Sequence, residues 1–162
     1  MQSVKGSLLD LVIADIEKQI EGAERGRKDA IEESKFHKGA MASRYDTFKE
    51  EAQYLAGGFA ARIQELSSQL AVLKSMQMRL AANSKVSGGA IVEVDDTDTG
   101  AKTKYFLLPA GGGETYEVNG EQYSILTIQA PLARALFGKA EGDEAKITIQ
   151  GTTKHLLVVS VS

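Results

Sequence analysis

Three carboxylates, Asp46, Glu50 and Glu51, fall in the stretch Ser43-Arg-Tyr-Asp-Thr-Phe-Lys-Glu-Glu-Ala52 near the middle of the chain. Carboxylate oxygens are hard ligands, and Mg2+ is often held by one or two of them while other ligands come from elsewhere. Asp46 and Glu50 are one helical turn apart, so on a helix they approach each other on one face. Such a pair could help hold Mg2+ and position a water, with a partner completing the shell. A second reading needs no chemistry: Asp46, Glu50 and Glu51 cap a helix and oppose its dipole. Thr47 suits an N-cap, and Glu50 three residues later completes a capping box. Spacing alone leaves both readings open. Tyr45 and Phe48 flank Asp46 and suit hairpin contacts or partner contacts equally well.

Two long helical patterns must position this stretch. From residue 7 to about 43, apolar residues fall at Leu9, Ile13, Ile16, Ile20 and Ala23, the 4-3-4-3 spacing of a coiled-coil seam. The count continues through Arg27, Ala30, Ser34, His37 and Met41, so the seam weakens toward the carboxylates. Ser7 or Ser3 would cap the start, with Asp10 in the first turn. The second arm carries Ala52, Leu55, Phe59, Ile63, Leu66, Leu70, Leu73, Gln77 and Leu80, with one slip in spacing around Phe59–Ile63. Asn83 and Ser87-Gly88-Gly89 end it. Each arm would be roughly 55 Å long at 1.5 Å per residue. Equal arms about Ser43–Thr47 make an antiparallel hairpin the economical arrangement, with the reversal placed in Ser43–Thr47. Gly22, Gly26 and Gly39 each lower helix propensity by about 1 kcal/mol, so the first arm depends on its partner. Arg25, Arg27, Lys28, Lys35 and Lys38 form either a solvated face or a patch for an acidic surface.

The chain has 162 residues and a net charge of −3, too weak a field to attract nucleic acid by itself. Residues 1–86 hold 13 Lys/Arg against 12 Asp/Glu (net +1), and 87–162 hold 6 against 10 (net −4). With no cysteine, disulfides and thiolate metal sites are excluded. The N-terminal apolar run is broken by Asp10 and Asp15 and is too short to span a bilayer. A soluble, cytoplasmic protein is expected.

Within residues 87–162, Ala90–Val94 alternates in the manner of a strand. Ala90–Val94 and Lys104–Leu108 flank an acidic turn, Asp95–Gly100, which lacks the downstream Glu of a calcium loop. Tyr123–Ile128, Lys146–Ile149 and Leu156–Val161 are further strands, the last two joined by a turn around Gly151. Pro109–Gly113 is a loop without the Lys and helix start of a phosphate cradle. Pro131–Phe137 is a short helix with proline in its first turn and Gly138 after its end. These elements predict an antiparallel sheet crossed by one helix. His37 and His155 belong to no triad or zinc pattern.

The run Ala130-Pro-Leu-Ala-Arg-Ala-Leu-Phe-Gly-Lys-Ala-Glu-Gly-Asp-Glu144 resembles the C-terminal signature of the Gre transcript-cleavage factors of bacterial RNA polymerase. Val92–Gly100 resembles the family's first hairpin, and Lys49-Glu-Glu-Ala-Gln-Tyr54 its tip run. The resemblance implies an α+β protein: an antiparallel coiled coil over 1–86 with its acidic tip near 43–51, then an FKBP-like polymerase-binding domain over 87–162. It implies that Asp46, Glu50 and Glu51 are donated to the polymerase active site, with Asp46 and Glu50 on a shared Mg2+ and no cofactor of the protein's own. Glu50 falls on the family's tip Glu. Thr47 stands at the family's Asp position, with Asp46 one residue before it, and Glu51 stands at its Asn position. Tyr45, Phe48, Pro131 and Arg134 are the expected partner contacts.

The favoured function is therefore a secondary-channel regulator, an accessory factor rather than an enzyme, that stimulates cleavage of backtracked RNA. The partner is RNA polymerase, with nascent RNA met indirectly and no membrane. One alternative is a channel binder that inhibits or competes with cleavage factors. Another is an FKBP-like folding helper, disfavoured by the absence of tryptophan and by only five Phe and five Tyr for a proline pocket. A dimer with its seam between chains is a further rival. Equal arms favour a monomer, which light scattering would test.

Overall fold

The computed structural model describes residues 3–36 and 42–162, with the side chains of 34–36 and 42–45 outside that description. Its elements are α1 (Val4–Phe36), α2 (Ala42–Gln77), β1 (Ile91–Asp96), β2 (Lys102–Leu108), β3 (Thr115–Val118), β4 (Glu121–Thr127), α3 (Pro131–Leu136), β5 (Glu144–Ile149) and β6 (Thr152–Val161). They form two compact units, Ala14–Ala71 and Met1–Ile13 with Val72–Ser162.

The first unit is a helical hairpin. Gln19 meets Arg62, and Gly26 meets Phe59, so residue numbers rise along α1 as they fall along α2. Ile16, Ala23 and Ala30 on α1 are buried, as are Ala52 and Leu66 on α2, with Phe59 half-buried between the latter two. Each line steps by seven residues, the repeat that keeps one narrow seam facing its partner. Leu55 departs from expectation. It is 50% exposed, because a single pair of helices covers little more than one residue per heptad on this stretch.

The helix boundaries correct the sequence reading in three places. Ser43–Thr47 lie within α2, which begins at Ala42, so they are not the reversal. Thr47 is therefore inside the helix rather than its N-cap. Asp10 is not in the first turn of α1, because the helix starts at Val4 and Ser3 is the cap: its hydroxyl accepts the Gly6 N–H at 3.1 Å. His37 and Met41 of the expected seam lie outside the described residues. The end of α2 comes at Gln77, ahead of Asn83.

In the second unit, the sheet has the order β3-β4-β2-β1-β6-β5. It is mixed, not wholly antiparallel: β2 and β4 run parallel, Tyr105–Leu108 against Ser124–Thr127. That pairing is possible because β3, absent from the sequence reading, turns the chain back before β4 begins. Asn119 and Gly120 make this turn with φ of 55° and 79°, the two left-handed positions of a tight hairpin. Gln150 and Gly151 repeat the device between β5 and β6, at the turn expected around Gly151. On one face of the sheet, Ala133 and Leu136 of α3 pack with Val92, Val94, Leu107, Ile147, Leu156 and Val158.

Candidate functional site

In the first turns of α2, Asp46, Glu50 and Glu51 are all exposed. Helical backbone from Ala42 onward fixes Asp46 and Glu50 at i and i+4, on one face. Glu51 is rotated by about 100° and leaves that face. It lines a cleft of about 130 Å3 with Glu33, Phe48, Ala52 and Leu55. Glu33 comes from α1 and escaped the sequence reading, since it lies off the seam count. Phe48 is 38% exposed, and the Tyr45 side chain lies outside the described residues.

Two exposed oxygen donors on one helical face suit a hydrated cation such as Mg2+, which keeps several ligands from water or another molecule. No group of three His, Cys, Asp or Glu able to hold a metal occurs among the described residues.

The second expected surface is α3. Pro131 occupies its first turn after Ala130, whose φ of −63° and ψ of 144° are extended and whose side chain makes no cap. The extended residue before proline is the conformation that ring sterics favour. Pro131 and Arg134 are exposed on one face, while Ala133 and Leu136 are buried on the other. Phe137 follows and is 53% exposed, a large apolar side chain that the sequence reading placed in the helix without a role. The rest of this motif is structural. Gly138 has φ of 80°, its N–H donates to the Val86 carbonyl at 2.8 Å, and the Val86 N–H donates to the Lys139 carbonyl at 2.8 Å. Asp143 Oδ2 accepts the Ala140 N–H at 2.8 Å, closing the next turn.

Two other charged features belong to the sheet unit. Lys104 Nζ is 2.6 Å from Glu121 Oε2, which also accepts the Tyr123 hydroxyl at 2.9 Å. The hydrogen bond from Lys104 holds the Glu121 carboxyl below its ordinary range, and the same bond raises the Lys104 ammonium. His155 Nδ1 lies 3.3 Å from Asp98 Oδ2 on the exposed rim of the acidic turn. No helix among the described residues is long and apolar enough to cross a membrane.

Residues 81–162 match the family described as transcription elongation factor, GreA/GreB, C-term. The transcription elongation factor GreA of Nitratidesulfovibrio vulgaris (strain DP4) is 29% identical over 160 residues, covering 98% of this chain and 90% of the relative. That of Methylococcus capsulatus is 32% identical over 128 residues, covering 75% of this chain and 77% of the relative. Among solved structures, the GreA factor homolog 1 protein of Thermus thermophilus matches 93% of this chain and 94% of its own at 15% identity, with a TM-score of 0.39. The sequence relatives, rather than this distant likeness, carry the family assignment.

Proposed function

This chain belongs to the GreA/GreB family of transcription elongation factors, and we propose that it binds bacterial RNA polymerase, enters the secondary channel with its helical hairpin and stimulates cleavage of backtracked RNA. The observation that carries this reading is the exposed pair Asp46 and Glu50, fixed one turn apart at the start of α2. Helical geometry supports Asp46 in this role despite Thr47 at the family's Asp position. Residues at i+3 and i+4 are both neighbours of a given side chain, so Asp46 can take the part of a carboxylate one position later. Asp46 and Glu50 would contribute oxygens to an Mg2+ shared with the polymerase, and Glu51 would add negative potential beside them. Such an ion supplies Lewis acidity and a more acidic bound water. Pro131, Arg134 and Phe137 would present the α3 face to the polymerase, and Phe48 would pack against the channel wall.

RNA cleavage in stalled, backtracked polymerase complexes tests this reading. Added protein should shorten the transcript. Loss of one transition-state contact commonly lowers such rates by about 10²–10³-fold, and that is the expected effect of Asp46→Asn or Glu50→Gln, with polymerase binding retained. Substituting Arg134 should instead weaken binding. A protein that shortens no transcript but slows an added cleavage factor is a channel competitor, an outcome that the Thr47 departure favours. No effect of either kind would return Asp46, Glu50 and Glu51 to helix electrostatics.

A further inference from the structure

The sheet ends in β3 on one side and β5 on the other. β3 has four residues, and brevity is one way an edge is kept from pairing with another chain. β5 has six, without proline, and no strand pairs with its outer side among the described residues. Its inner side pairs with β6 through the turn at Gln150 and Gly151, whose φ values of 51° and 79° are those of a two-residue type I′ β-hairpin. In such a hairpin the residues flanking the turn, Ile149 and Thr152, exchange both backbone hydrogen bonds, and bonded pairs then alternate along the ladder. Ile149, Ile147 and Ala145 therefore turn their N–H and C=O groups toward β6. The Asp143 carbonyl continues the series, accepting the Val158 N–H at 2.8 Å. Glu144, Lys146 and Thr148 turn theirs outward, to the open edge.

An open row of amides and carbonyls is a template for another strand. The side chains along it choose which strand. Glu144, Lys146 and Thr148 are exposed and, at every second position, share one face. Thr148 Oγ1 lies 3.1 Å from Thr153 Oγ1 within the sheet, which leaves the two charges to set the register. A second copy of β5, laid antiparallel about a two-fold axis at Ala145, puts Glu144 opposite Lys146 and Lys146 opposite Glu144. Outward amides and carbonyls meet at both positions, so each contact joins a backbone pair to an opposite-charge pair. Moving the axis to Lys146 sets that residue against itself, and like charges directly opposite are destabilising. Moving it to Ile147 pairs Lys146 with Thr148 and gains no charge contact. A lysine in the middle of an edge strand commonly deters pairing. Here the glutamate two residues earlier makes it selective for one register.

We propose that the open edge of β5 pairs with the same edge of a second copy of this chain, in the antiparallel register that sets Glu144 against Lys146. Neither RNA nor polymerase enters this assignment, so it stands or falls apart from the function proposed above. The test is sedimentation velocity of the full chain over a dilution series from about 1 mM, a range suited to an interface of one strand pair. The wild type should pass from dimer to monomer on dilution. Glu144→Lys and Lys146→Glu each place like charges opposite each other, and each should weaken association about tenfold or more. Combining the two substitutions restores both opposite-charge pairs and should restore association. Lys146→Pro removes only an outward N–H and leaves the β5–β6 ladder intact, so it should abolish association while circular dichroism shows the fold retained. A monomer at the highest concentration would overturn self-pairing and leave the edge to an extended segment of another protein. Association that is equal in the wild type and the single variants, is not recovered in the double variant, or persists in Lys146→Pro would place the dimer contact elsewhere and overturn the proposal as well.

Discussion

Gly26 of α1 and Gly58 of α2 are both inside helices of the same hairpin, yet replacing each by alanine should have opposite effects on stability. A Cβ built on Gly26 would lie 2.6 Å from Cζ and 2.7 Å from Cε1 of Phe59, far inside van der Waals contact. Around Gly58, and equally around Gly22 and Gly57, nothing lies within 4 Å of the added carbon. Alanine in a helix interior is favoured over glycine by about 1 kcal/mol, which Gly58→Ala should gain almost in full. At Gly26 the same gain is opposed by overpacking, which costs about 1–3 kcal/mol. The obstacle is the far edge of a half-buried ring, which can swing outward at the expense of its own burial. A net loss of about 1 kcal/mol is expected, leaving a gap of roughly 2 kcal/mol between two chemically identical substitutions. Urea unfolding followed by helical circular dichroism gives the two midpoints, and hydrogen exchange at amides of Ala14–Ala71 assigns the change to the hairpin. Phe59→Leu in the Gly26→Ala background should recover stability, with a coupling of at least about 0.5 kcal/mol between the two sites. If Gly26→Ala stabilises as much as Gly58→Ala, the ring does not sit against Gly26 and the register of the hairpin is wrong.

Leu136 is fully buried in the core beneath α3, and Leu136→Ala should cost about 2–5 kcal/mol in urea unfolding of the sheet unit; a loss too small to measure would mean that α3 does not pack as described. The Lys104–Glu121 pair should give a pH-dependent contribution, because bonding depresses Glu121 below its ordinary 4.5 and raises Lys104 above its ordinary 10.5. The Glu121 share is complete above pH 4.5 and is lost as pH falls through the depressed folded value, while the Lys104 share is lost only as pH rises past 10.5. Unfolding midpoints of the wild type and Glu121→Gln should therefore converge on acidification, and a difference that persists unchanged in strong acid would refute the pairing.

Much of the sheet unit was legible because its strands alternate and its turns carry glycine at positions of positive φ. Ile91–Asp96 follows that logic closely, whereas Phe106, Leu107 and Leu108 of β2 are all buried in succession. β3 was not found, although Asn119-Gly120 marks it: a four-residue strand at the sheet edge has only Tyr116 and Val118 half-buried, too short a pattern to register. The parallel β2–β4 pairing was not legible either, since it depends on β3 turning the chain back between them. Lys5 escaped for a related reason. A lysine near a helix start reads as solvated, and only the return of Ala81–Asn83 to its side buries it.

The carboxylate stretch was the harder case, because its capping signals are ambiguous. The pattern of a small hydroxyl residue followed three positions later by an acid occurs at Ser43–Asp46 and again at Thr47–Glu50, so spacing cannot choose the helix start. Placing the start at Ala42 changes the chemistry available. In a loop, Asp46 would have no fixed relation to Glu50. In a helix, position 46 is offset by about 40° from position 50 to one side and position 47 by about 60° to the other, so either can bring a side chain beside Glu50. Ala52, two residues beyond Glu50, is buried, while Asp46 and Glu50 are exposed. The apolar line thus fixes which way the helix faces, and the exposure of Asp46 and Glu50 follows from it.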